Sequence, residues 1–461
     1  MVSLASFVLR AAVGLAPFAS LSTAGLLRGE VVERNEQAHR PERAAFRDAV
    51  TTHYVPMRSH VATKPQGGAR LRRRSNVPAS LTNVHDIYYI IDLLVGNQTI
   101  PVSVDTGSSD TWMVQHPYQC VSYFWTPGGT QPDCGLGDGF AGNLSGGNIP
   151  DVIFGRSYTD GTFVQGFFGY EDVSIGGLTA AHQRVAIVNL TYWYGDGRTS
   201  GLLGLGYPFM TSLNGASQEQ PMYDPVFTTI WKNNPILPLF SIALSRDDGH
   251  NATTGTGVSE ETSFLALGGL PPVSYDAATW ARTPIKPVSA MIDQWGIDSP
   301  EQGLYIIDAE AYVYGIANKT AGIANNTTAV GADGLSKNAT QFPIIVDVGS
   351  TLTVLPKKLC EDVYNAFSPP AEYLHTTGLF YALCNATVPE FGVQIGGQTF
   401  FVAAQDLLRQ TARDPSGDYC RVGVTDDDSG PWVLGVTFLN NVVAVFDVGN
   451  REMRFAARQK Y

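Results

Sequence analysis

The sequence has little basic charge, and it has no apolar run of the roughly 20 residues needed to cross a membrane, since the stretch within its first 24 residues is shorter. Its 461 residues contain 30 Lys and Arg against 42 Asp and Glu, which gives a net charge of -12. Nucleic acids and anionic membrane surfaces attract clustered basic side chains, so this balance argues against both as partners. The polar stretch from Arg454 to Tyr461 also excludes a lipid-anchor signal at the end of this sequence.

Cysteine is scarce too, and no pair has the close spacing of a zinc or thioredoxin-like motif. His-Glu-x-x-His zinc motifs and serine nucleophile elbows are also missing, so we expect neither a metal nor a cofactor. In an oxidising compartment five cysteines would form two disulfides and leave one thiol. The shortest loops pair Cys120 with Cys134 and Cys384 with Cys420. Cys360 then stays free, beside the apolar stripe of a predicted helix, where we expect a buried, inert thiol.

The first 74 residues differ in composition from the rest of the chain. Residues 1–24 contain an apolar stretch and then small residues, which is typical of a secretory signal peptide; the alternatives are a membrane anchor or a disordered tail. Residues 25–74 end in Arg70-Leu71-Arg72-Arg73-Arg74 and indicate a basic propeptide, with a nucleic-acid or nuclear-localisation patch as the alternative. Residues 1–74 hold 12 basic and 5 acidic side chains, whereas the remaining chain has a net charge of -19.

What is abundant points to a secreted, mostly β protein. Forty-eight glycines and 27 prolines interrupt the sequence too often for long helices, while short runs such as Ile87 to Leu94 are rich in strand formers. At this length more than one domain is expected. Nine Asn-x-Ser/Thr sequons fit a glycoprotein exported from the cell. They begin at Asn97, Asn143, Asn189, Asn251, Asn318, Asn325, Asn326, Asn338 and Asn385.

One motif occurs twice. The segment Val104–Ser109 (Val-Asp-Thr-Gly-Ser-Ser) recurs at 346–351 as Val-Asp-Val-Gly-Ser-Thr, each time after an apolar, strand-like run. Each copy is followed by a second matching element, Leu202-Leu203-Gly204-Leu205-Gly206 in the first case and Val433-Leu434-Gly435 in the second. Two copies that each have this partner element predict two homologous β lobes.

The repeated Asp residues predict an acid–base pair. A carboxylate at the end of an apolar strand needs hydrogen-bond donors, and the Ser108 and Ser350 hydroxyls are placed to supply them. If the lobes face each other, Asp105 and Asp347 become neighbours that cannot both ionise readily, so they share one proton. Such a pair hydrolyses amides without metal or covalent intermediate. The neighbouring residues that we expect to support the pair are Thr106, Gly107 and Gly349.

These motifs resemble those of the pepsin family of aspartic peptidases, of the secreted fungal type, over about residues 87–456. Further matches are Trp112 and the segment Tyr158–Gly166, which is similar to the flap hairpin of that family. The resemblance implies a bilobal β fold with the cleft between an N-terminal lobe, 75–255, and a C-terminal lobe, 256–461. It implies that Tyr158 closes over the substrate and hydrogen-bonds to Trp112, with Gly161 in the flap turn.

It further implies a secreted, monomeric acid endopeptidase, made as a zymogen, free in the medium or associated with the vacuole or cell wall. Its partners would be protein or peptide substrates, pepstatin-like inhibitors and its own propeptide. Asp160 has two interpretations, a contact to a substrate Lys or a role in the hairpin turn alone.

Two residues depart from the family pattern. The family has Thr or Ser directly after each catalytic Asp, but Val348 follows Asp347, so half of the cross-link between the lobes is expected to be missing; Val436 replaces an Asp found in many relatives. The first departure leaves open a catalytically weak or inactive binding protein on the same fold. A glycosidase with two carboxylates is a third hypothesis, which the doubled motif opposes.

Overall fold

In the computed structural model of the chain, strands dominate. The structure describes residues 49–61, 87–121, 134–212, 222–246, 259–316, 328–330, 334–375 and 377–458. The signal peptide and most of the propeptide predicted from the sequence lie outside these ranges. The strands of the first half are β1 Tyr54–Val61, β2 Ile87–Val95, β3 Gln98–Asp105, β4 Thr111–Cys120, β5 Asn148–Ser157, β6 Phe163–Ile175, β7 Leu178–Tyr192, β8 Gly201–Gly204, β9 Leu239–Ala243 and β10 Ser259–Leu267.

The second half is equally rich in strands, which confirms the mostly β class predicted from the glycines, prolines and strand formers. Its strands are β11 Ala281–Pro284, β12 Ile306–Asp308, β13 Ala311–Gly315, β14 Thr328–Val330, β15 Ser336–Asn338, β16 Pro343–Val346, β17 Thr353–Leu355, β18 Glu372–Leu374, β19 Leu379–Leu383, β20 Glu390–Ile395, β21 Gln398–Val402, β22 Leu408–Arg413, β23 Tyr419–Val422, β24 Val424–Asp426, β25 Val433–Leu434, β26 Val442–Asp447 and β27 Glu452–Ala457.

The helices within the described ranges are short, and none is long and apolar enough to cross a membrane. Most are single turns of four residues. The longest, 10 residues, is the predicted helix that buries Leu359, Cys360 and Val363 on one face. The helices are α1 Phe209–Ser212, α2 Val226–Asn233, α3 Ile292–Trp295, α4 Lys357–Ala366, α5 Ala404–Leu407 and α6 Val436–Leu439.

A 13-stranded sheet joins the two halves of the chain. Its order is β11-β27-β26-β9-β10-β1-β2-β3-β8-β4-β7-β6-β5, so strands from the end of the chain continue a sheet that begins in the first half. Three smaller sheets build the second half: β12-β16-β25-β17-β24, β14-β15-β13-β20-β21 and β18-β19-β23-β22. The main hydrophobic core runs through both halves, from Leu93 and Val102 to Val346 and Phe446.

Matching strand pairings confirm the internal repeat. The strand β3, which ends at Asp105, lies parallel to β8, and β16, which ends one residue before Asp347, lies parallel to β25. In each half the strand after the motif then pairs antiparallel with that same partner, β4 with β8 and β17 with β25. The second motif elements predicted from the sequence therefore hold the two Asp-bearing turns in equivalent positions.

The strand β1 lies inside the range that the sequence assigns to the propeptide. It occupies an interior position of the 13-stranded sheet, antiparallel to β10 on one side and to β2 on the other. Met57 and Ser59 are buried there, and the Thr51 N–H donates to the Leu270 carbonyl at 3.0 Å. The segment 49–61 is thus part of the folded body, while the boundaries of propeptide and lobes stay predictions.

The disulfides are the two predicted from the shortest loops. Cys120 bonds to Cys134 and Cys384 to Cys420, and each lies in one of the two halves. Cys360 is free and fully buried. Burial raises the pKa of its thiol far above the ordinary value, so it stays protonated and unreactive, as expected from its place in the apolar stripe.

Candidate active site

Asp105 is held by donors from its own turn. The Gly107 N–H donates to Asp105 Oδ1 at 2.8 Å, and the Ser108 hydroxyl donates to Oδ2 at 2.5 Å. Asp105 is the last residue of β3, which runs through the apolar core, and only 7% of its surface is exposed. A buried carboxylate of this kind is tolerated because its oxygens are paired.

Asp347 has the same partners in the other half. The Gly349 N–H donates to Asp347 Oδ1 at 2.8 Å and the Ser350 hydroxyl to Oδ2 at 2.7 Å. The residue is as buried as Asp105. The two serine donors predicted from the sequence, and the two glycine N–H donors beside them, are therefore equivalent, as expected for homologous lobes.

The two turns face each other at contact distance. A Cβ added to Gly107 would lie 2.7 Å from Asp347 Oδ2, and one added to Gly349 would collide with Asp105 Oδ1. Each turn therefore needs glycine, because any side chain there would occupy the place of the opposite carboxylate. The sequence predicted this neighbourhood of Asp105 and Asp347, and the structure brings them together.

The electrostatics of the pair follow from this proximity. Burial, and secondly the charge of Asp347, raise the pKa of the Asp105 carboxyl above its ordinary value of 3.8, although bonds from Ser108 and Gly107 act in the opposite direction. Two neighbouring, buried carboxylates cannot both ionise cheaply. The Asp105 carboxyl therefore keeps its proton at a pH where an exposed Asp has lost its own.

A cross-link between the lobes passes through Thr106. Its hydroxyl donates to the Val346 carbonyl at 3.1 Å and accepts from the Val348 N–H at 3.0 Å. Asp347 Oδ1 lies 3.3 Å from the same hydroxyl. The Val348 side chain is buried in the apolar core and has no hydroxyl to match that of Thr106, so only Thr106 contributes a side-chain hydroxyl to the cross-link, as predicted from the sequence.

The hairpin of β5 and β6 is joined to the Asp105 side of the site by aromatic side chains. The Trp112 Nε1 donates to the Tyr158 hydroxyl at 2.7 Å. Trp193 packs edge-on against both rings, with centroid distances of 5.1 Å to Trp112 and 5.2 Å to Tyr158. Burial, and then the charge of Asp105, raise the pKa of Tyr158 far above its ordinary value. The phenol therefore stays protonated next to the carboxylates.

The family follows from a comparison of the sequence with known proteins. A family model described as eukaryotic aspartyl protease matches residues 88–289 and 305–458, more than half of the chain. The chain belongs to the eukaryotic aspartyl proteases. It is thus a hydrolase, an aspartic-type endopeptidase, and the resemblance to fungal pepsin-family enzymes is confirmed.

Similar proteins come mainly from fungi. A probable aspartic-type endopeptidase of Aspergillus fumigatus is 33% identical over 419 residues, 89% of this chain and 88% of that protein. Penicillopepsin-1 of Talaromyces stipitatus is 23% identical over 416 residues, 90% and 88% of the two chains. The crystal structure of the aspartic proteinase from Irpex lacteus superposes with a TM-score of 0.58 at 18% identity, covering 88% of this chain and 97% of that one, and shows the bilobal fold.

The turn of the protease's β5–β6 hairpin is shaped by Asp160 and Gly161. Asp160 Oδ1 accepts from the Thr162 N–H at 2.9 Å and from the Thr162 hydroxyl at 2.7 Å. Gly161 has φ of 86°, a left-handed conformation that favours glycine. These two bonds support a role of Asp160 in shaping the hairpin turn. Both go to Oδ1, and neither Thr162 group bonds to Oδ2.

Some residues around this protease site carry no motif in the sequence. Trp193 is marked only by the run of three aromatic residues at 192–194. The buried ion pair of Arg156 with Asp110 has no sequence signal, since nothing local connects these two positions. Within the described ranges no group of three or more His, Cys, Asp or Glu side chains is arranged to hold a metal ion.

Proposed function

We propose that this aspartic endopeptidase cleaves peptide bonds at acid pH through Asp105 and Asp347, which share one proton. The observation that carries the proposal is the close approach of the two Asp-bearing turns across the lobes, with a matching Ser and Gly donor on each carboxyl group. The bonds from Ser108 and Ser350 fix the outer oxygens, so the inner oxygens face each other and the substrate.

The mechanism needs one charged and one neutral carboxyl group. The charged one takes a proton from a water molecule, whose oxygen adds to the carbonyl carbon of the peptide, while the neutral one gives its proton to the carbonyl oxygen. In the second step the carboxyl group that took the water proton gives it to the amide nitrogen, while the other carboxylate takes a proton from a hydroxyl of the diol intermediate, and the C–N bond breaks. The dyad again holds one proton, and no covalent enzyme intermediate forms.

The β5–β6 hairpin is well placed to act as the flap over this site. Its Tyr158 is tied to Trp112, which follows Asp105 by seven residues, so the hairpin lies on the Asp105 side of the cleft. Closing a flap excludes water and holds the peptide against the carboxyl groups. The family's apolar cleft favours large apolar side chains on both sides of the cut.

We further propose that the protein is secreted as a zymogen. The basic segment 25–74 and the remaining chain of net charge -19 attract each other near neutral pH, and acid weakens the attraction as carboxylates gain protons. Purified precursor should be latent near pH 7 and should release or cleave its leader as the pH falls. Full activity of the intact precursor at pH 7 would contradict this proposal.

Substitution of the two aspartates tests the catalytic role. Asp105→Asn and Asp347→Asn should each remove nearly all hydrolysis of a peptide substrate in acid, while the folded structure remains by circular dichroism. Asp447→Asn is a matched control, because Asp447 is an equally buried carboxylate, paired with Asn450 and Arg454 and located on β26. It should retain activity. Peptide hydrolysis by either site variant at a rate near that of the native protein would refute the mechanism.

Pepstatin separates a working site from an inactive binding protein on the same fold. The processed protein should form a tight one-to-one complex with pepstatin, and its acid proteolysis should stop at one equivalent. If the protein neither binds pepstatin nor cleaves peptides, it is instead an inactive binding protein on the same fold, the alternative suggested by Val348.

A further inference from the structure

A buried ion pair joins the flap strand to the loop that follows the first catalytic carboxylate. Arg156 lies on β5, two residues before Tyr158, and its Nε donates to Asp110 Oδ2 at 2.5 Å. The side chains are only 13% and 4% exposed. Burying two charges is favourable only when each is well paired, so this contact strongly constrains where β5 can lie.

Asp110 is anchored on the catalytic side. It lies five residues beyond Asp105, and its carbonyl accepts from the N–H of Gly204, the residue of β8 that pairs with Asp105. It also lies two residues before Trp112. The ion pair and the Trp112–Tyr158 bond are therefore two neighbouring links between the same two segments. One segment is β4 with the loop before it, and the other is the end of β5 with the residue that follows it.

The pair belongs to a hydrogen-bonded cluster. The Arg156 Nη2 donates to the Thr211 carbonyl at 3.1 Å, and the Tyr223 hydroxyl donates to Asp110 Oδ1. Thr211 in turn accepts from the Tyr223 N–H at 3.0 Å. Both oxygens of Asp110 thus have donors, and Arg156 bridges the flap strand, the catalytic loop and the segment around α1.

The flap strand lies at the edge of the main sheet, where its buried Phe154 packs edge-on against Phe168 of β6. The strand β5 is the last one of the 13-stranded sheet, β6 is its strand neighbour among the described strands, and its register is interrupted between Asn148 and Ile153. Ile153 is 59% exposed. Among the ion pairs between described residues, that of Arg156 is the one that involves β5. An edge strand of this kind opens locally unless side chains hold it.

We propose that Arg156 and Asp110 form a positioning pair that holds β5 against the catalytic loop and so keeps Tyr158 on Trp112 above Asp105. The inference rests on the proposed role of the β5–β6 hairpin as the flap. Neither residue is catalytic, because neither touches the reacting groups. The pair sets how tightly substrate and inhibitor are held, and it acts on the chemical step only through Tyr158.

The test compares Arg156→Met and Arg156→Lys with a matched control. Arg156→Met should raise KM for a peptide and Ki for pepstatin about tenfold, with kcat within about twofold. Arg156→Lys keeps the charge beside Asp110 and should restore most of the affinity. The control is Arg246→Met, because Arg246 pairs with Asp406 at 2.9 Å and the two side chains are 13% and 5% exposed, away from the flap. It should lower the melting temperature comparably and leave KM and Ki unchanged.

A double-mutant cycle with Tyr158→Phe shows whether Arg156 acts through the flap tyrosine. If it does, the loss of pepstatin affinity in the double variant should be clearly smaller than the product of the two single losses. Independent effects, or native KM and Ki in Arg156→Met, would overturn the proposal, as would equal losses in Arg246→Met. If Arg156→Met does not fold, Asp110→Asn and Arg156→Lys take its place: Asp110→Asn should raise Ki, and an unchanged Ki would overturn the proposal.

The variants Asp105→Asn and Arg156→Met test the dyad and the positioning pair separately. Inactive Asp105→Asn together with a native-like Arg156→Met would refute the positioning pair and leave the dyad intact. An active Asp105→Asn would refute the dyad whatever Arg156 does.

Discussion

Replacing Thr106 by Val should destabilise the protein, because the hydrogen bonds from this turn to the backbone on both sides of Asp347 depend on one hydroxyl. Val has nearly the same shape, so the change removes the bonds and little else. The Val348 N–H loses its acceptor at 3.0 Å and the Val346 carbonyl loses its donor at 3.1 Å. Both groups belong to buried residues on either side of Asp347.

The magnitude follows from these two bonds. An unpaired buried N–H costs about 1 to 3 kcal/mol and a lost net hydrogen bond about 0.5 to 1.5 kcal/mol, so the free energy of unfolding should fall by about 2 to 4 kcal/mol. We also expect a lower kcat/KM, because Thr106 positions the turn that carries Asp105 against the turn that carries Asp347.

The assay is urea unfolding of the native and variant proteins, with Thr111→Val as a matched control. Thr111 is a threonine 2% exposed, five residues away, whose hydroxyl has no partner among the described residues. Removing it should leave the unfolding free energy unchanged or raise it. If Thr106→Val were as harmless as Thr111→Val, the reasoning on the cross-link would be refuted.

Four further predictions use other parts of the structure. Val348→Thr should raise the unfolding free energy by about 1 kcal/mol if the opposite group is unpaired; a clear drop in thermal melts would show instead that Val348 fills an apolar pocket. The pKa of Asp105 is raised in the folded protein, so the protonated carboxyl stabilises the fold below pH 3.8, and this stabilisation is lost as the pH rises towards the folded pKa. In Asp105→Asn the free energy of unfolding should therefore fall less steeply above pH 4 than in the native protein, with a difference in slope of at most about 1.4 kcal/mol per pH unit. An unchanged slope in urea unfolding would contradict this. Asn338 should carry no glycan in peptide mass spectra, since it is 8% exposed and its Oδ1 accepts from the Thr340 N–H, whereas Asn97, Asn143, Asn189 and Asn385 are exposed; a glycan on Asn338 would refute the argument. Asp160→Asn should leave the ratio of cleavage at Lys to that at Leu unchanged if the carboxylate only shapes the turn with Thr162, and should lower it if Oδ2 binds substrate.

The two carboxylates of the site could be predicted from the sequence because the motif that contains them occurs twice. Asp105 and Asp347 each stand in the same motif, and homologous lobes placed face to face bring equivalent residues together. The Tyr158–Trp112 bond followed from the family resemblance, and the disulfides followed from loop lengths. In each case the information is local or duplicated in the chain.

Other contacts could not be predicted because they depend on distant pairing. The strand β1 was assigned to the propeptide by its composition, and nothing local shows that it pairs with residues 259–266, some 200 positions away. Arg156 and Asp110 are 46 residues apart and carry no motif. The burial of Asn338 also escaped, since a sequon reports a possible modification and not the exposure of its side chain.

The pH dependence of kcat/KM for a neutral peptide tests the shared proton most directly. One proton on the Asp105–Asp347 pair predicts a bell-shaped profile, in which activity falls in strong acid when both carboxyls are protonated and falls again towards neutral pH when both are ionised. The peptide carries no titrating group, so both limbs report the enzyme. An activity that rises steadily towards pH 7 would contradict the account.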